Sequence, residues 1–187
     1  MRKIIVIIIA FIFLSLNAYA DPSAIYIKKN NDGSRNFDIE FEFNSTDNPR
    51  KIFDLLTDFE NIYRFNPSLV SAEILSENIN RVEVKSTFRN CILFICREMI
   101  MYESILSYCL NNSYCIINAE VIPNSGSPVT EGKTSWIIKQ ENNSKSKIIY
   151  KSEFLAHLPL PPFIGESIFK KTINRNLNYL EESLNNF

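Results

Sequence analysis

The residue types best suited to chemistry are four cysteines, Cys91, Cys96, Cys109 and Cys115, gathered within 25 positions of a 187-residue chain. Clustered cysteines serve as zinc ligands, redox thiols or disulfides, and spacing helps to separate the three. Four residues part the first pair and five the second, so neither is the C-x-x-C of zinc sites and thiol oxidoreductases. His157 is the only histidine; a metal site built on several histidines is excluded, and a Ser-His-Asp triad would have to use it. No nucleophile motif accompanies His157, which reads as a structural or surface residue. Asp54, Asp58 and Glu60 could share acid and base work. Asp54 and Asp58 are four apart, however, and fall opposite an apolar helical stripe, so they read as solvated, with Asp58 holding the turn that follows. No catalytic residue, metal or cofactor is assigned, and an enzyme is the less favoured reading.

The first twenty residues bear on which of the cysteine chemistries applies. Arg2 and Lys3 give a positive start, residues 4–16 an unbroken apolar run, and Ala18-Tyr19-Ala20 a small-any-small cleavage site. The run falls short of the ~20 residues a membrane-spanning helix needs. Residues 1–20 therefore read as a signal peptide of an exported protein, and export into an oxidising compartment favours disulfides.

Residues 21–187 are about one domain in size. Leaving out Arg2 and Lys3 takes the 20 basic residues to 18 against 21 acidic ones, a net of −3. That balance, with no long basic run, argues against a nucleic acid partner.

Strand patterns fill the middle of the chain. Phe37, Ile39, Phe41 and Phe43 alternate with Asp38, Glu40 and Glu42, giving a strand with one wet face. The same period recurs over 81–88 and 148–154, while 99–106, 114–122 and 133–140 are rich in β-branched and aromatic residues between turn signals. Helical spacing occurs in two places. Ile52, Leu55, Leu56 and Phe59 follow N-cap candidates and Pro49, predicting a short helix to about Phe59 and a further turn near 61–65. Phe169, Ile173, Leu177, Leu180 and Leu184 form the apolar stripe of a long terminal helix that enters after Pro159, Pro161 and Pro162. Antiparallel strands followed by one long helix make an α+β arrangement, the helix lying across a curved sheet.

The stretch from Phe53 to Leu75, FDLLTDFENIYRFNPSLVSAEIL, resembles the opening of the START-like superfamily, with Thr57, Asp58, Phe59, Glu60, Asn61 and Pro67 on its pattern. HLPLPPFIGESIFKK, from His157 to Lys171, resembles the same group's passage into its long helix. The resemblance implies a helix-grip fold over 37–187: about seven antiparallel strands wrapped on the C-terminal helix, with two short helices after the first strand and residues 21–36 as an extension. It implies, too, binding or transport of a lipid-, quinone- or polyketide-like molecule between sheet and helix, and the lack of a plausible acid-base pair favours a noncatalytic role. The alternatives are a cyclase- or hydrolase-type enzyme in the same cavity, or a filled core serving protein interaction. Tyr102, Trp136, Tyr150, Phe154, Phe169 and Ile173 are the candidate cavity residues. The directions of Asn118 and Glu120 stay open, because a one-residue change of register reverses every side chain. With the short signal, the resemblance implies a bacterial periplasm. Oligomeric state is not legible.

Placed on such a sheet, the cysteines become hairpin staples. Cys91 with Cys96, and Cys109 with Cys115, would lie opposite one another, within the ~4.4–6.8 Å Cα separation that a disulfide needs. The first bracket holds Ile92, Leu93, Phe94 and Ile95, all apolar where hairpin tips are usually polar. Either the strands continue through it or fold back over the sheet end, or it is a contact for a membrane or partner.

Overall fold

A computed structural model describes residues 23–92, 95–124, 126–142, 145–157 and 166–186. The segment read as an export signal, the three prolines before the terminal helix, Leu93 and Phe94 lie outside the described residues. Among the described residues, eight strands form one sheet: β1 (Ser23–Lys29), β2 (Arg35–Ser45), β3 (Leu69–Asn78), β4 (Arg81–Ile92), β5 (Ile95–Asn111), β6 (Tyr114–Val121), β7 (Val129–Asn142) and β8 (Lys145–Ala156). Helix α1 (Pro49–Thr57) and a single 3-10 turn (Ile62–Phe65) follow β2, and helix α2 (Glu166–Asn185) ends the chain.

The spatial order is β1-β2-β8-β7-β6-β5-β4-β3, and every neighbouring pair is antiparallel. The helix-grip arrangement expected from the sequence is present, with one strand more than the seven expected. The additional strand is β1, drawn from the stretch read as an extension; it pairs Ile25 with Ile39. Gly33 allows the tight return into β2: it adopts φ 86°, a backbone state that side chains disfavour, and its N–H donates to the Asn30 carbonyl at 3.1 Å.

Alternation decides which face the sheet buries. Phe37, Ile39, Phe41 and Phe43 turn inward and are all at most 4% exposed, while Glu40 and Glu42 reach Lys151 and Lys147 on the outer face. Irregularities in the β3–β4, β5–β6 and β7–β8 pairings bend the sheet. Phe169, Leu177, Leu180 and Leu184 of α2 are buried beneath its concave side.

Helix α1 begins where Pro49 occupies the first turn and the Asn48 side chain accepts the Lys51 N–H at 2.9 Å. It ends at Thr57, two residues before the expected Phe59. There the Asp58 carboxylate takes over, accepting from the Asn61 amide at 3.0 Å and from Arg64 at 2.9 Å. Thus Asp58 organises the turn into the 3-10 segment. Asp54 instead faces solvent and pairs with Arg50 at 3.0 Å.

The cysteine brackets close as paired strand ends. Cys109 and Cys115 are joined by a disulfide with Cα atoms 4.0 Å apart, slightly closer than the usual range. A bulge between Cys109 and Asn111 accounts for this bracket holding one residue more than the other. Cys96 is disulfide-bonded and sits opposite Cys91 in register. Strand pairing continues through the first bracket as far as Ile92 opposite Ile95.

Candidate functional site

Between the concave face of the sheet and α2 lies a cavity of about 360 Å³. Strands β2 to β8 supply most of its wall. Leu56, Phe59, Ile62 and Phe65 close one side from α1 and the turn after it, and Ile173, Asn176, Leu177 and Leu180 line it from α2. Most of these groups are apolar. Such a lining follows from the sequence: inward positions on successive strands carry Ile, Val, Met and aromatic side chains, and the terminal stripe turns toward them.

Four of the six candidate cavity residues, Trp136, Tyr150, Phe154 and Ile173, line this space. Trp136 and Tyr150 sit opposite one another on β7 and β8, their ring centroids 4.4 Å apart. Phe154 stacks on Phe37 at 4.5 Å, nearly parallel. Phe169 packs edge-on against Phe37 at 5.8 Å and belongs to the core beside the cavity. Tyr102 alternates with Glu103 on β5 and so points to the outer face.

Polar groups inside the cavity come from positions that the sequence did not single out. Glu103 lies on β5 between Val84 of β4 and Val121 of β6 in register. Burial among these apolar neighbours pushes its carboxyl up to about 7. Among the described residues, nothing donates a hydrogen bond or offers a cation to it. Tyr150 is also raised, first by burial and further by the nearby Glu103 charge, against hydrogen bonds with Ser152 and Thr134 that lower it. The Thr134 and Ser152 hydroxyls are 2.9 Å apart. On the opposing wall, the Asn176 amide donates to the Ser68 hydroxyl at 3.0 Å, while its Oδ1 is buried without a partner among the described residues.

The signals for these groups were positional. Glu103 shares its strand face with Met99, Met101 and Ile105, and Asn176 falls between Ile173 and Leu180 on the helical stripe. Conversely, Glu120 pairs with Lys133 at 3.3 Å on the outer face, and Asn118 shares its parity. His157 is exposed just beyond β8, its backbone N–H bound to the Pro128 carbonyl at 2.7 Å. Among the described residues, no group of three His, Cys, Asp or Glu is placed to hold a metal ion.

The family described as polyketide cyclase / dehydrase and lipid transport matches residues 48–181. Similar solved structures include the ZhuI aromatase/cyclase from Streptomyces sp. R1128, at 11% identity and TM-score 0.64, covering 80% of this chain and 91% of that one. Human StAR-related lipid transfer protein 5 has 11% identity and TM-score 0.63, with 94% and 92% covered. A STAR-related lipid transfer protein from Xanthomonas axonopodis has 11% identity and TM-score 0.61, with 87% and 97% covered. At these identities the likeness is one of fold. No curated protein sequence matches significantly.

Proposed function

Because the chain belongs to the polyketide cyclase / dehydrase and lipid transport family, we propose that it binds a hydrophobic small molecule between sheet and terminal helix and carries it without transforming it. The observation behind this reading is the apolar cavity of about 360 Å³, which falls in the range of small-molecule sites, roughly 300–1,000 Å³. Its size, at the lower end, suits a single-chain or few-ring molecule better than a two-chain lipid. Removing such a surface from water contributes roughly 25 cal/mol per Å², so few polar contacts are needed. Export through the segment 1–20 would place the carrier in a periplasm, in keeping with its disulfide. Native mass spectrometry of protein purified from its own host tests the proposal: a retained apolar molecule of one mass is expected, and an empty cavity that takes up no apolar probe would overturn it.

A second reading rests on Glu103. A carboxyl raised to about 7 is poised to take or give a proton near neutral pH, as a cyclase-type reaction would require. Turnover of the retained molecule that vanishes in Glu103→Gln would favour this reading over simple carriage.

A further inference from the structure

Resting on the binding reading above, we infer that the ligand is neutral and bears a hydroxyl, and that the cavity discriminates against anionic amphiphiles such as fatty acids. Two features of the lining point to this class. The first is the complement of charge. Glu103 is an acidic group inside the cavity, and none of the lining residues offsets it with an inward cation. Lys133 contributes to the wall, but its ammonium lies outside, 79% exposed and paired with Glu120. The groups facing Glu103 on adjacent strands are Val84 and Val121; from β8 and β7 come the neutral Tyr150, Ser152 and Thr134, and α2 brings Ile173, Asn176 and Leu177. A buried carboxylate ligand would thus have no counter-charge and would share the space with another carboxyl, a costly arrangement.

The second feature is unsatisfied hydrogen bonding. Among the described residues, Asn176 Oδ1 is a buried acceptor without a donor, and the Glu103 carboxyl opens to the cavity without a partner. A buried polar group of this kind costs free energy until something pairs with it. A hydroxyl supplies a donor for Asn176 Oδ1 or for Glu103, and its oxygen accepts from a protonated Glu103, all without bringing charge. The apolar remainder fills the space between the aromatic wall at Trp136 and the aliphatic face of α2.

The test uses two probe series, a twelve-carbon chain and a naphthalene ring, each ending in hydroxyl, carboxylate or ammonium. Each is titrated into the whole protein at pH 8, with binding followed by calorimetry. The hydroxyl member of at least one series should bind tenfold or more tightly than its carboxylate. Glu103→Gln, which keeps shape and removes charge, should shrink that preference at least threefold by tightening carboxylate binding. Carboxylate binding as tight as hydroxyl binding, or a preference that Glu103→Gln does not move, would overturn the inference. So would tightest binding of the ammonium probe lost in Glu103→Gln, which would assign a cationic ligand instead. If no member of either series binds, the binding reading itself fails, an outcome distinct from failure of selectivity.

Discussion

Gly132 lies directly across from Phe154 in the β7–β8 register, so close that a Cβ at position 132 would come within 2.9 Å of the Phe154 Cβ and 3.0 Å of Val121 Cγ2. The first contact is closer than Cβ atoms come, the second is tight enough that Val121 must give way, and both belong to the cavity wall. The missing side chain is therefore what allows Phe154 to stack on Phe37 while Val121 packs beside it.

Gly132→Ala should push Phe154 out of its stack with Phe37. Overpacking of this kind costs about 1–3 kcal/mol. Urea unfolding should register a loss in that range, accompanied by weaker uptake of apolar probes because the displaced ring enters the cavity. An unchanged midpoint would show that β7 and β8 separate freely here.

Glu103 should make stability depend on pH in a defined direction. Its pKa is raised in the folded state from 4.5 to about 7, so the native protein holds this proton more tightly than the unfolded chain does. The contribution is fully present below about pH 4.5 and is lost as pH rises to about 7. The loss amounts to about 3 kcal/mol at pH 8. Glu103→Gln, which does not ionise, should match the parent's pH dependence of unfolding only where Glu103 is protonated, near pH 4, and gain about 2–3 kcal/mol on it by pH 8. A difference that stays constant from pH 4 to 8 would mean that the ionised carboxylate finds water or a partner in the folded state.

Much of the architecture was legible from periodicity because strands such as β2 bury one face, as Phe37 to Phe43 show, whereas β3 has no buried residue to mark it. The strand β1 was not legible, since SAIYIKK is short and its exposed Tyr26 blurs the alternation. The cavity's polar groups escaped notice for another reason. Glu103 sits in a run whose composition looks simply apolar, and only its parity with Met101 and Ile105 marks it as inward. Glu120 drew attention as a carboxylate on a neighbouring strand, yet register turns it outward to Lys133. Asn176 was hidden in the same way, by a stripe otherwise made of Ile and Leu. In each case the missing information was which face a residue occupies, fixed by pairing between strands distant in sequence.

The disulfide between Cys109 and Cys115 spans a sequence separation of 6, and so short a loop gains only modestly from closure. Loop entropy suggests about 2 kcal/mol. Replacing both cysteines with alanine should lower stability by about that amount and speed amide exchange chiefly at the β5–β6 hairpin. Loss of protection across the whole sheet would show instead that this staple is needed for the fold, since Cys115 itself is fully buried.

Trp136 is the only tryptophan in the chain, and it lines the cavity beside Tyr150. An apolar molecule entering this space would displace solvent from the indole or quench it by contact. Intrinsic fluorescence should consequently change in a saturable way with any true ligand, and the signal should disappear in Trp136→Phe while calorimetry still detects binding. Replacing Asn176 by Leu offers the complementary measurement on the opposite wall: it removes the unpartnered acceptor, so hydroxyl-bearing probes should weaken severalfold while a plain hydrocarbon of equal length does not. Equal weakening of both would locate the effect in lost space and not in the hydrogen bond.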